Sequence, residues 1–175
     1  PENSEAVAMV GYAQHRLGED TAAEETLKRA LQLDSDHSEA RIYLGNLLYD
    51  LQPDRAIAAW ERSRALDPAF ARVHRNLAFA YARARGDLAR ATVSQQEALS
   101  IEKGEPRLHY ELDQYLAWTK APLAARLARL TERKETVASR EITAGRLARV
   151  QALLGRQDDA LETLRAREDE LIEEY

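Results

Sequence analysis

Apolar residues recur three and four positions apart along nearly the whole chain, which is the spacing of one face of an α-helix. The first such run places Ala6, Val10, Ala13 and Leu17 on one side. Later runs are separated by glycine, by proline or by clusters of Asp and Ser, residues that punctuate helices. The pattern predicts about ten helices and no strand. It fades at residues 131–139, where we expect an irregular connector.

An alanine returns along the chain at almost constant spacing. The five positions, 33, 35, 34 and 35 residues apart, are Ala23, Ala56, Ala91, Ala125 and Ala160. A period near 34 is typical of stacked two-helix repeats, in which each hairpin buries its apolar stripe against its neighbours. The sequence therefore predicts one helical repeat domain over residues 1–175. The expected units are residues 4–35, 36–68, 69–103, 105–134 and 140–175.

The residues around these alanines resemble the tetratricopeptide repeat (TPR) family. In the second unit, Gly45 lies on the first helix and Trp60 lies on the second helix, four residues after the repeat alanine. The first unit offers Gly11 with Leu27, and the third offers Ala78 at the small-residue position. Small residues there let the paired helices approach, and large residues fill the gap beside them. The resemblance implies an all-α fold, a right-handed superhelical solenoid of antiparallel helix hairpins.

The last 70 residues match the TPR pattern less well. They are similar to the C-terminal repeats of large, uncharacterised bacterial multidomain proteins, in the segments 106–114, 126–130 and 154–161. The chain also begins at Pro1, without a methionine. These features favour a fragment of a longer bacterial protein, and a processed mature chain is the alternative.

The net charge of −5 is distributed unevenly along the chain. Residues 1–50 have a balance of −6 and residues 151–175 one of −5, whereas residues 51–100 and 101–150 each carry +3. This order argues against the continuous basic footprint of a nucleic-acid-binding protein. It favours a protein partner with acidic character near the middle of the chain, or contact between copies in a homo-oligomer.

Two further features bear on location and chemistry. No run of about 18 apolar residues occurs, so the sequence predicts no membrane span. We expect a cytoplasmic protein, with the periplasm as the alternative. The chain has no cysteine, no paired histidines at helical spacing, no glycine-rich phosphate loop and no nucleophile elbow. The sequence therefore predicts a protein that is not an enzyme and holds no cofactor or metal.

Several polar and aromatic residues have both a functional and a structural interpretation. Surface or groove positions are expected for the four histidines, His15, His37, His74 and His109. Trp60 and Trp118 could form a ligand platform, but their positions favour packing in the core. Arg126, Arg129 and Arg133 form a basic stripe opposite leucines. We interpret that stripe as the solvated face of a second helix, with binding to a membrane surface or RNA as the alternative.

In TPR arrays the first helix of each hairpin lines the inner groove, so the resemblance implies where a partner binds. Mapping the repeat positions onto this chain gives aromatic, amide and basic candidates: Tyr12, His15, Asn46, Tyr49, Arg72, Arg75, Asn76, Phe79 and Arg83. Such groups are enriched in protein interfaces, and arginine and asparagine suit carboxylates or an extended peptide backbone. Asn46, Arg72 and Asn76 also resemble part of a terminal-carboxylate clamp. However, Ala8 and Tyr12 stand where that clamp has lysine and asparagine.

Two functions are compatible with these observations. The first is a non-catalytic scaffold that binds a protein or an extended peptide in the groove, with an acidic peptide as the sharper version. The second is a structural spacer or oligomerisation module of a larger bacterial enzyme, for example one that acts on carbohydrate.

Overall fold

The computed structural model describes residues 2–173, with side chains described as far as residue 166. Within these residues the backbone forms eleven α-helices and no strand, which confirms the all-α prediction. The helices are α1 (Ser4–Arg16), α2 (Asp20–Leu33), α3 (Ser38–Leu48), α4 (Pro53–Leu66), α5 (Ala71–Ala84), α6 (Leu88–Ile101), α7 (Pro106–Trp118), α8 (Leu123–Thr131), α9 (Lys134–Ala138), α10 (Glu141–Leu153) and α11 (Gln157–Glu173). Pro1 and the end of the last predicted unit, residues 174–175, lie outside the described residues.

The helices form two compact units, Pro1–Asp87 with α1 to α5 and Leu88–Tyr175 with α6 to α11. In the first unit α1 pairs with α2 and α3 with α4, while α3 also lies against α1 and α2, and α5 lies against α4. In the second unit α6 packs against α7, and α10 packs against α11, α7, α8 and α9. Tight turns end α1 and α10 at Gly18 and Gly155, whose φ angles of +81° and +78° favour glycine.

The paired helices of the first unit approach each other at a glycine on the first helix of each pair. A Cβ at Gly11 would lie 2.7 Å from Cγ of Leu27, and one at Gly45 would lie 2.3 Å from Nε1 of Trp60. Both large residues are buried. The indole Nε1 of Trp60 also donates a hydrogen bond to the backbone oxygen of Ile42, at 3.2 Å. The predicted small–large pairing is therefore confirmed, and Trp60 is a core residue.

Most of the periodic alanines lie where their small side chain is needed. The buried ones are Ala23, Ala56, Ala91 and Ala160. Ala125 is exposed, so its place in the repeat series is wrong. The reason is that α8 turns a different face inward and buries Arg126, Leu127 and Leu130.

The fading pattern predicts an irregular connector at residues 131–139. The segment instead contains the short helix α9. Val137 on α9 is fully buried. It joins the core cluster that also holds Leu127, Leu130, Leu147 and Val150. One buried valine holds this segment against its neighbours, and a single apolar residue is too little to make a periodic pattern in the sequence.

A buried ion pair joins α8 to α7. Nε and Nη2 of Arg126 donate to the two carboxylate oxygens of Asp113 at 2.7 and 2.8 Å. Nε of Arg146, on α10, lies 2.8 Å from the same carboxylate. The hydrogen bonds from Arg126 to Asp113 raise the pKa of the guanidinium, against the opposing effect of burial. The predicted solvent exposure of Arg126 is therefore wrong, whereas Arg129 and Arg133 are exposed as the predicted stripe requires.

Three ring side chains lie in environments other than those predicted. His74 and His109 are buried rather than at the surface or in the groove. Nε2 of His74 lies 2.7 Å from the carbonyl oxygen of Pro68, and Nε2 of His109 lies 3.0 Å from that of Lys103. Each ring therefore fastens the first turn of a helix to the loop before it. Trp118, expected in the core, is 42% exposed.

Replacing Gly45 with alanine is expected to lower the free energy of unfolding by about 1–3 kcal/mol, because the added methyl group overlaps the indole of Trp60. The matched control is Gly145→Ala in α10. A Cβ there meets nothing within 4 Å, so helix propensity should raise the stability by up to about 1 kcal/mol. Urea denaturation followed by circular dichroism measures both changes. Equal effects of the two substitutions would contradict the close approach at Gly45.

The substitution Asp113→Ala should cost about 3–5 kcal/mol, because it leaves the buried guanidinium of Arg126 without its carboxylate. Asp54→Ala is the control. Its carboxylate lies 2.8 Å from Arg85 at the surface, and its loss should cost less than about 1 kcal/mol. The double variant Asp113→Ala with Arg126→Leu should recover part of the stability, since only the guanidinium of Arg146 is then left without its carboxylate. Denaturation midpoints that are equal for the two single variants would disprove the role of the buried pair.

Candidate functional site

Helices α1, α3 and α5 of the first unit carry a connected set of aromatic, amide and basic side chains, which we name the first-helix face. Its members are Tyr12, Tyr43, Asn46, Tyr49, Arg72, Asn76, Phe79 and Arg83. Along α3 and α5 these residues follow one another at spacings of three and four, so they share one side of each helix. Contacts between successive helices then join the three sets into one surface.

Two pairs of aromatic rings form the apolar part of the first-helix face. The rings of Tyr12 and Tyr43 lie 4.7 Å apart between centroids, and those of Tyr49 and Phe79 lie 5.4 Å apart. The ring of Tyr49 also packs on the buried ring of Trp60, with the two centroids 5.6 Å apart. Phe79 remains 45% exposed. Aromatic pairs at these distances interact favourably beyond the contribution of the area that they bury. The two pairs therefore form the rigid, apolar part of the face.

Between the aromatic pairs, two amides link α3 to α5. Nδ2 of Asn76 donates a hydrogen bond to Oδ1 of Asn46 at 2.8 Å, and both side chains are half-buried. An amide side chain can donate two hydrogen bonds and accept two. The nitrogen of Asn46 and the oxygen of Asn76 therefore keep the capacity to donate to and accept from an extended backbone.

Two exposed arginines stand over aromatic rings at the edge of the first-helix face. The guanidinium carbon of Arg83 lies 5.9 Å from the ring centroid of Phe79, and that of Arg72 lies 5.5 Å from the ring centroid of Phe70. These separations fall within the range of cation–π attraction. The rings hold the arginines near the aromatic pairs, so two positive charges lie beside the apolar part of the face.

Two tyrosine hydroxyls of the first-helix face are held in the neutral form. Burial raises the pKa of Tyr43, and the nearby carboxylate of Glu39 adds to the rise. Burial likewise raises the pKa of Tyr49, helped by Asp50. At neutral pH both groups are therefore protonated and can donate hydrogen bonds.

The remaining two predicted residues lie at the margin of the first-helix face. Nδ1 of His15 is 2.9 Å from Oδ1 of Asp20, so the ring is directed to the turn between α1 and α2. Arg75 is half-buried on α5, one turn from Arg72. The other seven predicted residues lie in the contacts given above.

The prediction from sequence omits Tyr43, although its ring is one of the largest groups of the first-helix face. Tyr43 lies two residues before Gly45, and Asn76 lies two residues before Ala78, the small residue of its own repeat. The two therefore occupy the same repeat position, and applying the repeat offset evenly to all three helices would have found Tyr43.

The first-helix face places apolar surface, amide groups and guanidinium groups side by side. These groups are suited to binding a ligand. Within the described residues, no group of three or more His, Asp or Glu side chains could hold a metal ion. In that same part of the chain, no helix combines the length and the apolar character that a membrane span requires.

No protein-family model matches the chain, and no curated protein matches it in sequence. Solved structures nevertheless resemble it closely in fold. A crystal structure of MamA superposes with a TM-score of 0.73 at 17% identity, covering 95% of this chain and 98% of MamA. YrrB, described as a TPR protein with an unusual peptide-binding site, superposes with a TM-score of 0.71 at 16% identity, covering 93% of this chain and 84% of YrrB.

A mutant of the O-GlcNAc transferase from Thermobaculum terrenum is a third neighbour. It is 27% identical with a TM-score of 0.66, and the match covers 77% of this chain but 26% of the transferase chain. Together with the small–large pairing inside the hairpins, these likenesses define the fold as that of the TPR proteins. The predicted fold class, a TPR-like helical solenoid, is confirmed.

The free energy of unfolding should fall as the pH rises above about 10, the ordinary pKa of tyrosine. Burial raises the pKa of Tyr43 and Tyr49 in the folded chain, so above pH 10.0 the unfolded chain releases protons that the folded chain keeps. The stability due to the neutral hydroxyls is thus present below the unfolded-state pKa and lost as the pH rises through the folded-state pKa. Denaturation at several alkaline pH values, with tyrosinate absorbance as a second readout, measures the slope.

The double variant Tyr43→Phe with Tyr49→Phe should show a smaller alkaline loss of stability than the unaltered chain, because neither side chain can ionise. Parallel pH profiles for the two chains would show that burial of these hydroxyls has no effect on folding.

Proposed function

We propose that this chain is a non-catalytic scaffold that binds an extended, acidic peptide segment of a protein partner on the first-helix face. The observation that carries the proposal is the Asn46–Asn76 amide pair, which lies among the aromatic pairs and beside exposed arginines. An extended backbone presents donors and acceptors that match the free nitrogen of Asn46 and the free oxygen of Asn76. Arg72 and Arg83 supply planar donors suited to carboxylate side chains.

The fold supports this proposal by analogy. Helical repeat arrays present extended surfaces on which partners bind, and YrrB, which shares the fold, has a peptide-binding site. The aromatic pairs fit the same function, because tyrosine and phenylalanine supply a large rigid contact area at low cost in side-chain entropy. A peptide partner therefore uses the groups that this face leaves exposed.

A second candidate function is that of a spacer within a larger enzyme that acts on carbohydrate. The observation in its favour is the likeness to the O-GlcNAc transferase, in which the matching part is 26% of the chain. In this version the repeats position another domain, and the first-helix face has no peptide ligand of its own. Selection of peptides on the isolated chain separates the two candidates.

The test begins with selection of linear peptides from a random library displayed on phage, followed by fluorescence anisotropy with a labelled synthetic copy of the best sequence. We expect selected peptides rich in Asp and Glu. Replacing both Asn46 and Asn76 with alanine should weaken binding about 10-fold or more, because two hydrogen bonds to the peptide backbone are lost. Arg72→Glu should weaken it at least as much by placing a negative charge beside the peptide carboxylates.

The control is Arg62→Glu on α4. Arg62 is exposed and pairs with Asp36 at 3.3 Å, away from the first-helix face. The substitution Arg62→Glu makes the same change in charge as Arg72→Glu. It should leave the dissociation constant of the peptide within about 2-fold of that of the unaltered chain. Failure to select any peptide, or equal losses for Arg62→Glu and Arg72→Glu, would refute the proposed function and favour the spacer.

A further inference from the structure

The side-chain contacts between the first helices of the first unit share one register. Counted from the small residue of each repeat, the residue on the later helix stands three positions before its partner on the earlier helix. This offset describes the two aromatic pairs and the amide pair, which are Tyr12 with Tyr43, Asn46 with Asn76, and Tyr49 with Phe79. Residues in contact lie at the same height, so the dimensions of the first-helix face follow from helix geometry.

The aromatic pairs form two separate apolar patches, one on each side of α3. The first patch consists of Tyr12 and Tyr43 together with Met9, which is 51% exposed. The hydroxyl of Tyr43 donates to Sδ of Met9 at 3.9 Å. The second patch consists of Tyr49 and Phe79. Two rings in contact offer enough apolar surface for one apolar side chain of a ligand, so each patch can receive one anchor.

Helix geometry gives the distance between the two patches. Along α3, Tyr43 and Tyr49 are separated by six residues, which is a rise of about 9 Å. Across the helices, the first patch lies between α1 and α3 and the second lies between α3 and α5. The patches therefore differ by one interhelical spacing of about 8–10 Å. The diagonal that joins them is about 12–13 Å long.

The amide pair lies on the path between the patches. Asn46 stands three residues after Tyr43 and three residues before Tyr49, at the midpoint of that stretch of α3. The hydrogen bond of 2.8 Å from Asn76 orients both amides. A peptide that reaches both patches therefore has the middle of its backbone over these amides, which keep one donor and one acceptor for it.

We infer that the peptide recognised by the first-helix face carries two apolar side chains four positions apart, one for each patch. The inference rests on the proposed function and adds the spacing of the anchors to it. An extended chain rises by about 3.3 Å per residue, so four residues span about 13 Å, whereas three span about 10 Å and five span about 17 Å. Side chains four positions apart also point to the same side of an extended chain, and those three or five apart point to opposite sides.

The experiment compares synthetic peptides of identical composition, in which two phenylalanines stand three, four or five positions apart among Asp and Ser. A fourth peptide has one phenylalanine replaced by Ser. Fluorescence anisotropy with the 175-residue chain should show that the four-position peptide binds about 10-fold or more tightly than each of the others, because it alone fills both patches. All four peptides have the same net charge, so attraction to the arginines cannot cause the difference.

The variant Phe79→Ala removes the exposed ring of the second patch. The preference for the four-position peptide should then fall to about 2-fold or less, since only one anchor is held well. Leu33→Ala on α2 is the matched control. Leu33 is 44% exposed against 45% for Phe79, and it belongs to neither patch, so the preference should persist. Circular dichroism checks that both variants are folded, and the peptide series itself needs no variant of the chain.

The outcomes separate this inference from the proposed function. Equal binding at all three spacings, or tightest binding at three or five positions, overturns the inference and leaves the binding of an acidic peptide intact. A four-position preference that survives Phe79→Ala also overturns the inference alone. So does a series that fails to bind while the peptide selected from the phage library binds. Failure of the selected peptide as well overturns the proposed function and the inference together.

Discussion

The structure depends on how closely the two helices of a hairpin can approach. At Gly11 and Gly45 the absence of a side chain lets a leucine and a tryptophan from the second helix lie against the backbone of the first. Buried apolar surface of this kind supplies most of the stability of a helical repeat, because a lone hairpin cannot bury its own stripe. The spacing of the pairs then fixes the register between consecutive first helices. That register brings Tyr12 to Tyr43, and Asn46 to Asn76, across helix boundaries.

Much of this could be predicted from sequence because the repeat leaves a periodic signal. Alanine at near-constant spacing and the glycine–tryptophan pair are the residues that close helix packing requires, so the pattern and the packing have the same cause. Seven of the nine predicted binding residues lie in the contacts of the first-helix face for the same reason, since a fixed offset carries each position from one helix to the next. The packing predictions were confirmed where a residue's place in the fold follows from its place in the period, whereas the binding role of the nine residues stays a prediction.

The prediction failed where a role depends on a partner distant in sequence. Asp113 stands 35 residues after Ala78, at the position of the small residue, and it is buried there only because Arg126 and Arg146 neutralise it. A burial of that kind costs a great deal unless the charges are paired, and nothing along the sequence indicates the pairing. His74 and His109 were misplaced for a different reason: their acceptors lie only six residues earlier in the chain, but these are backbone carbonyls, which the pattern of side chains does not indicate. Without knowledge of their partners, the sequence indicates a surface position for each of these polar residues.

Nuclear Overhauser contacts in the folded chain show most directly whether the hairpins close around small–large pairs. The built Cβ position of Gly45 lies 2.3 Å from Nε1 and 2.6 Å from Cδ1 of Trp60, so the α-protons of Gly45 must lie close to the indole protons. Close packing of Gly45 on Trp60 predicts strong cross-peaks from the indole N–H of Trp60 to those α-protons. A Trp60 indole without such cross-peaks, while its ring is shielded from solvent elsewhere in the fold, would contradict this packing.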